Sequence, residues 1–347
     1  MGQTLTKNNR RIKNRRKPKF DSREEYFIKN GGILLEKQIS LSQGQRLVAG
    51  ELKIFSYQDI EKATNFFDHD LLIASGNLRT VYKGTLEDRM VAVKAPPLVE
   101  PHPILIDHHL TEASMSMVMT HDNVVNLYGC CLETSIPILV HEFFPNGSLF
   151  DQLYVQTESC KPLQWADRVR VATETAYALS YMHNALSKPV VHRHVSSNII
   201  LLDDNFHAKL TNFGFSVPVT QDETPQKLPI EGVPGYIDPE YIKTQEVTDK
   251  CDVYSLGVLV LELLTRRQPY LMALEGTDLV DTFMSAVERN CMMKMIDSEV
   301  LEQATREEIQ QVAELAAICV AEKGFERPTM IEVVIHLRNI QSQEKNN

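Results

Sequence analysis

No run of 18 or more consecutive apolar residues occurs in the 347-residue chain, so no transmembrane helix is expected. The N-terminus is polar and basic, which predicts no secretory signal. Cysteine is sparse. Cys130, Cys131, Cys160, Cys251, Cys291 and Cys319 show neither metal-ligand nor disulfide spacing, so they read as reduced, buried thiols of a cytosolic protein, and no metal site is expected. Basic residues are scarce over most of the chain. Eight of the 36 Lys and Arg lie within residues 1–19, leaving 28 against 46 acidic side chains, a net of −18, for the remainder. What is present is ordinary for a globular protein: 43% hydrophobic and 24% charged residues, in a chain long enough to bury a sizeable core.

Residues 1–19 form a basic tail with no acid: Lys7, Arg10, Arg11, Lys13, Arg15, Arg16, Lys17 and Lys19. It begins Met1-Gly2-Gln3-Thr4-Leu5-Thr6, which fits the M-G-x-x-x-[S/T] pattern for myristoylation of Gly2. One acyl chain binds membranes only marginally, and an adjacent polybasic run supplies the second signal. Peripheral attachment to the plasma membrane is therefore the expectation, beside the plainer reading of a solvated tail; no nucleic-acid partner is expected. Residues 20–54 read as a linker or lead segment. REEYFIKNGGILLEKQ predicts a short helix broken at Gly31-Gly32 and packed loosely. From Phe55 the pattern firms. Ser56 can cap a helix on which Tyr57, Ile60, Ala63 and Phe67 share a face.

The most informative stretch is VVHRHVSSNIILLDDNFHAKLTNFG, residues 190–214. Around it stand LLIASGNLRTVYKG (71–84), VAVK (91–94), LYGCCLE (127–133), NGSLFDQL (146–153), GYIDPEY (235–241), DVYSLGVLVLELLT (252–265) and ERPTM (326–330). Trp165 to His183 predicts a long amphipathic helix with Val169, Ala172, Ala176, Leu179 and Met182 on one face. EIQQVAELAAICV (308–320) predicts another core helix. Pro96, Pro97, Pro101 and Pro103 predict an irregular connection, in which His102, His108 and His109 read as a solvated loop rather than a zinc cluster.

Together these stretches resemble a protein kinase. They are most similar to plant receptor-like cytoplasmic kinases close to the wall-associated group. The resemblance implies an α+β bilobal fold over residues 55–341. A small antiparallel-sheet lobe with one helix is expected at 67–142, a mainly helical lobe at 143–341, and a short tail at 342–347. It also assigns positions. A kinase carries H-R-D-x-x-x-x-N and then D-F-G; this chain has His192-Arg193-His194, Ile199 at the Asn position, and Asn212-Phe213-Gly214. Asn198 falls one residue early and is not credited as the replacement. Ser196 stands where serine/threonine kinases usually carry Lys. The glycines of the phosphate-covering loop fall at Ala74, Gly76 and Arg79, and Arg79 either meets a phosphate or fills the space ATP needs. Val81 and Ala92 take adenine-contact positions. Lys94 and Glu112 take the phosphate-pairing Lys and its helical partner, followed by a polar Ser116 where an apolar contact is usual. His141 takes the bulky position facing the nucleotide pocket. Asp252, Glu240 and Arg327 take scaffold positions, with Arg327 expected to pair with Glu240. Thr220 and Thr224 lie in the activation segment, 215–237.

The loop Asp accepts the substrate proton, and the loop Asn and D-F-G Asp hold magnesium. With His194, Ile199 and Asn212 in those places, three groups are missing together, and no catalytic residue is assigned. The chain thus resembles the plant pseudokinase family whose members act as adaptors for a coiled-coil NLR immune receptor and recruit an effector-modified cytoplasmic kinase. That resemblance implies a role in plant defence, protein partners and no required cofactor, with any ATP binding weak. Two other readings stand beside it: an atypical serine/threonine kinase with His194 as base, and a switch that binds ATP without turnover.

Overall fold

The computed structural model describes residues 20–42, 52–76, 79–97, 102–155, 163–219 and 225–344. The chain opens on helix α1 (Phe20–Ser42) and a short strand β1 (Lys53–Ile54). Helix α2 (Tyr57–Ala63) follows, closed at its start by a capping box in which Ser56 and Asp59 satisfy each other's backbone N–H. Strands β2 (Leu72–Ser75), β3 (Thr80–Leu86) and β4 (Arg89–Ala95) form antiparallel hairpins. Helix α3 (Pro103–Val118) leads to β5 (Leu127–Cys131) and β6 (Ile138–Glu142). The six strands make one sheet in the order β1-β5-β6-β4-β3-β2, with β1 parallel to β5 and the other neighbours antiparallel.

Alternation along the strands builds two layers. Val91, Val93 and Ala95 of β4 join Ile138, Val140 and Tyr82 under Tyr57 and Ile60 of α2. Cys130 and Leu139 point the other way, against Leu110 and Ala113 of α3 and Leu34 of α1. The same alternation turns Val81, Ala92 and Lys94 toward the cleft between the lobes.

Helix α1 differs from its expectation. It runs unbroken through Gly31 and Gly32 and belongs to the small lobe. Two helical glycines cost about 1 kcal/mol each relative to alanine, but tertiary contacts outweigh that here. Asn30 is fully buried and donates to Leu132 O and Thr134 O at 3.0 and 2.9 Å. Lys37 bridges to α3 through Asp107 (2.7 Å) and Thr111 (2.9 Å). The strand β1 extends the attachment. A Cβ at Gly129 of β5 would lie 2.2 Å from Lys53 O, so only glycine lets β1 approach. His108 and His109 also differ: both sit on α3, for which His102 is the N-cap, and His109 is buried against Pro137 O at 2.8 Å. No grouping of His, Cys, Asp and Glu suited to a metal occurs among the described residues.

The large lobe begins with α4 (Leu149–Tyr154) and α5 (Trp165–Asn184). The site strands β7 (Val190–Val191), β8 (Ile200–Leu202), β9 (Ala208–Leu210) and β10 (Val217–Pro218) follow, then β11 (Gln226–Lys227), α6 (Pro239–Thr244) and β12 (Glu246–Val247). Helices α7 (Lys250–Thr265), α8 (Pro269–Leu274), α9 (Leu279–Glu288), α10 (Ser298–Gln303), α11 (Arg306–Cys319) and α12 (Met330–Glu344) complete the chain. The expected apolar face of α5 is buried in one core with α7, α11 and α12. Helix α12 runs past residue 341, so the tail expected from 342 is still helical to Glu344. Cys130, Cys131, Cys251 and Cys319 are buried and unpaired, Cys291 is half-buried, and Cys160 lies outside the described residues.

Candidate active site

Asp252, fully buried in the first turn of α7, organises the loop after β7. Its Oδ2 accepts from His192 N at 2.8 Å and faces His183 Nε2 at 2.8 Å, while Oδ1 accepts from Arg193 N at 2.9 Å. His192 reaches Thr211 O at 3.0 Å and so ties this loop to the turn that carries Asn212. Arg193 adopts a left-handed φ of 66°. It donates to Phe215 O at 3.2 Å and Pro229 O at 2.6 Å, pinning the following segment.

His194 lies flat on Phe215, with ring centroids 4.5 Å apart and planes 6° from parallel. The Asn212 amide faces its Nδ1 at 3.2 Å. Burial pushes the imidazole down to about 3, and the neighbouring His192 and the Arg79 and Lys94 cations push the same way. The ring is therefore neutral near pH 7, and its Nδ1 lone pair is already engaged by the Asn212 amide.

Asn212 sits at φ 70°, a left-handed conformation that Asn tolerates. Its Oδ1 accepts from Arg79 Nη1 at 2.9 Å and from Lys94 Nζ at 3.0 Å. Lys94 is also paired with Glu112 of α3, and both are buried. Burial drives the Lys94 ammonium down against the pull of Glu112, and the Arg79 guanidinium adds to that fall. Burial pushes the Glu112 carboxyl up, yet Lys94 and His141 hold it below the usual carboxylate range. His141 Nε2 stands 3.5 Å from Glu112 Oε1, too long for a hydrogen bond, and burial pushes that imidazole down to about 4. One turn beyond Glu112, Ser116 Oγ is buried and has no hydrogen-bond partner among the described residues.

Of these groups, Arg79, Lys94 and His141 line a cavity of about 220 Å³ between the lobes. Val81, Ala92, Val125, Phe144 and Leu201 line its apolar middle. Ala74 lines it too, whereas a Cβ at Gly76 would meet nothing within 4 Å, so no close approach requires that glycine here. Ile199 is buried in the large-lobe core, while its neighbour Asn198 is exposed and lines the cavity. The side-chain amide thus reaches the cleft one residue before the motif position. Ser196 is fully buried, and its hydroxyl has no partner among the described residues.

The sequence pattern of protein tyrosine and serine/threonine kinases matches residues 68–337. The chain belongs to that family. Wall-associated receptor kinase-like 1 of Arabidopsis thaliana is 38% identical over 334 residues, 95% of this chain and 45% of that protein. Wall-associated receptor kinase 3 is 37% identical over 325 residues, 93% of this chain and 43% of that protein. The putative wall-associated receptor kinase-like 16 is 36% identical over 338 residues, 96% of this chain and 77% of that protein. The chain spans less than half the length of the first two.

The kinase scaffold carries one substitution of partners. Arg327, expected to pair with Glu240, instead forms a bidentate pair with Asp238, at 2.6 and 2.7 Å. Asp238 caps α6 and is buried, so its carboxylate faces the guanidinium squarely. Glu240, two residues on, accepts from Gly324 N at 2.6 Å. The signal was the acid opening D-P-E. Gly2, Thr220 and Thr224 lie outside the described residues. Among the described residues no helix is long and apolar enough to cross a membrane.

Proposed function

We propose that this kinase-family chain is a catalytically inactive adaptor. One observation carries the reading: Asn212 Oδ1, in the place of a metal-binding carboxylate, is engaged by both Arg79 and Lys94. Magnesium takes oxygen ligands and favours anionic ones. Ile199 offers no side-chain oxygen and is buried, and Asn212 turns its one side-chain oxygen to two cationic donors, so these residues do not fit the ion. His194 is poorly placed to take a proton, since a general base works best with a pKa near the working pH. The intact Asp252 and Arg327 anchors favour a fold kept for binding.

The partners proposed are those the family resemblance implies: a coiled-coil NLR immune receptor and an effector-modified cytoplasmic kinase in plant defence. The proposed location is cytoplasmic, with the basic tail and Gly2 holding the protein at the plasma membrane. Recovery of the tagged protein from plant tissue, with mass spectrometry of what stays bound, tests the role. A leucine-rich-repeat receptor and a kinase are expected at near-stoichiometric amounts. Recovery of the protein alone under gentle lysis contradicts an adaptor. The retained Lys94–Glu112 pair favours a second reading, a nucleotide-binding switch without turnover, which requires ATP to stabilise the fold.

A further inference from the structure

Arg79 and Lys94 place two cations on the wall of the cleft cavity, and among the described residues Glu112 is the carboxylate paired with Lys94. Arg79 spends one Nη1–H on Asn212; among the described residues its Nε–H and Nη2–H groups make no hydrogen bond. The same cavity is lined by the apolar side chains of Val81 and Leu201 and by Glu142 and Asp151, whose carboxylates accept from Asn126 and Ser148. Its volume of about 220 Å³ falls below the roughly 300–1,000 Å³ usual for drug-sized ligands.

We infer that the cleft takes a nucleoside-sized planar heteroaromatic with one anionic group, held by Arg79 and Lys94 without any divalent metal. The inference rests on the reading that the metal site is lost. In a kinase, magnesium offsets the phosphate charge; here a guanidinium supplies that charge from the chain itself. Arg presents a fork of donors suited to phosphate or carboxylate oxygens, and stays charged in the cleft. A triphosphate exceeds both the space and the charge available. A single phosphate group, about −1.5 to −2 in charge near pH 7, is met by the Arg79 guanidinium and by the Lys94 ammonium that Glu112 partly offsets.

The test uses thermal unfolding of the full chain with AMP, adenosine or ATP, each with EDTA and with magnesium. AMP is expected to raise Tm by roughly 2–4 °C equally in both buffers. Adenosine is expected to give less than half that shift, and ATP with magnesium no more than AMP. Arg79→Lys keeps the AMP shift and Arg79→Gly abolishes it; unfolding without ligand establishes that each variant is folded. Three results overturn the inference: no AMP shift, a shift that needs magnesium, or a larger ATP shift in Arg79→Gly, which would make Arg79 a plug. Phosphotransfer is measured on the same preparations. Transfer sinks the inactive-adaptor reading, whereas absent transfer with absent AMP binding sinks only this inference.

Discussion

Arg79 Nη1 lies 2.9 Å from Asn212 Oδ1, joining the loop over the cleft to the turn beneath it across 133 residues of sequence. Both positions depart from the kinase pattern, and each accommodates the other. A carboxylate in place of the Asn212 amide would become an ion-pair partner for Arg79 and Lys94. A glycine in place of Arg79 would leave Asn212 facing Lys94 alone. The departures are coupled through one oxygen.

That coupling predicts that restoring the missing groups does not restore a kinase. In the triple variant His194→Asp, Ile199→Asn, Asn212→Asp, the carboxylate introduced by the third change is held by two cations already in place. The amide introduced by the second must enter an apolar core, at a cost of about 1–3 kcal/mol. Turnover below about a hundredth of the usual 1–100 per second is expected in a peptide phosphorylation assay. Ordinary rates would show that the cleft needs only those three groups.

The Arg327–Asp238 pairing predicts unequal costs. Arg327→Ala strands a buried carboxylate and should lower unfolding stability by about 3–5 kcal/mol in a urea titration. Glu240→Gln keeps an acceptor for Gly324 N–H and should cost less than about 1 kcal/mol. Equal losses would return the pairing to Glu240.

Much of the fold was legible because its motifs kept their register. The capping box at Ser56, the apolar face of α5 and the buried run of α7 all follow from local pattern. Helix α1 was not legible. Gly31-Gly32 reads as a break, and the burial of Asn30 against Leu132 O depends on the residue just past β5, 102 positions away. The site was legible as a set of positions but not as a network. Spacing marked Arg79, Lys94, His194 and Asn212 one by one, but nothing local says that the first three meet at the amide of the fourth.

Helix α1 supplies its own measurement. Gly32 is exposed and a Cβ there meets nothing within 4 Å, so Gly32→Ala should stabilise by roughly 0.5–1 kcal/mol. Asn30→Ala removes two buried donors from Leu132 O and Thr134 O and should cost about 1–3 kcal/mol. Chemical denaturation of both variants reads the signs. No change in either would place α1 outside the cooperative unit.

His141 predicts an acid-sensitive fold. Its native pKa of about 4 lies below the ordinary 6.5, so between these values the unfolded chain binds the proton and the native chain does not. Stability therefore falls as pH drops from about 6.5 toward about 4, by at most roughly 1.4 kcal/mol per pH unit from this group. His141→Leu should make the urea midpoint fall less between pH 7 and pH 5, with buried His194 keeping its own share of the slope. An unchanged slope would remove His141 as a cause.

The most direct test of the account is phosphotransfer by the purified protein with ATP and magnesium or manganese. The wild type is expected to transfer no phosphate to itself or to a general substrate, like its Lys94→Ala variant. Transfer that is present in the wild type and lost in Lys94→Ala, from preparations free of co-purified kinase, would contradict it.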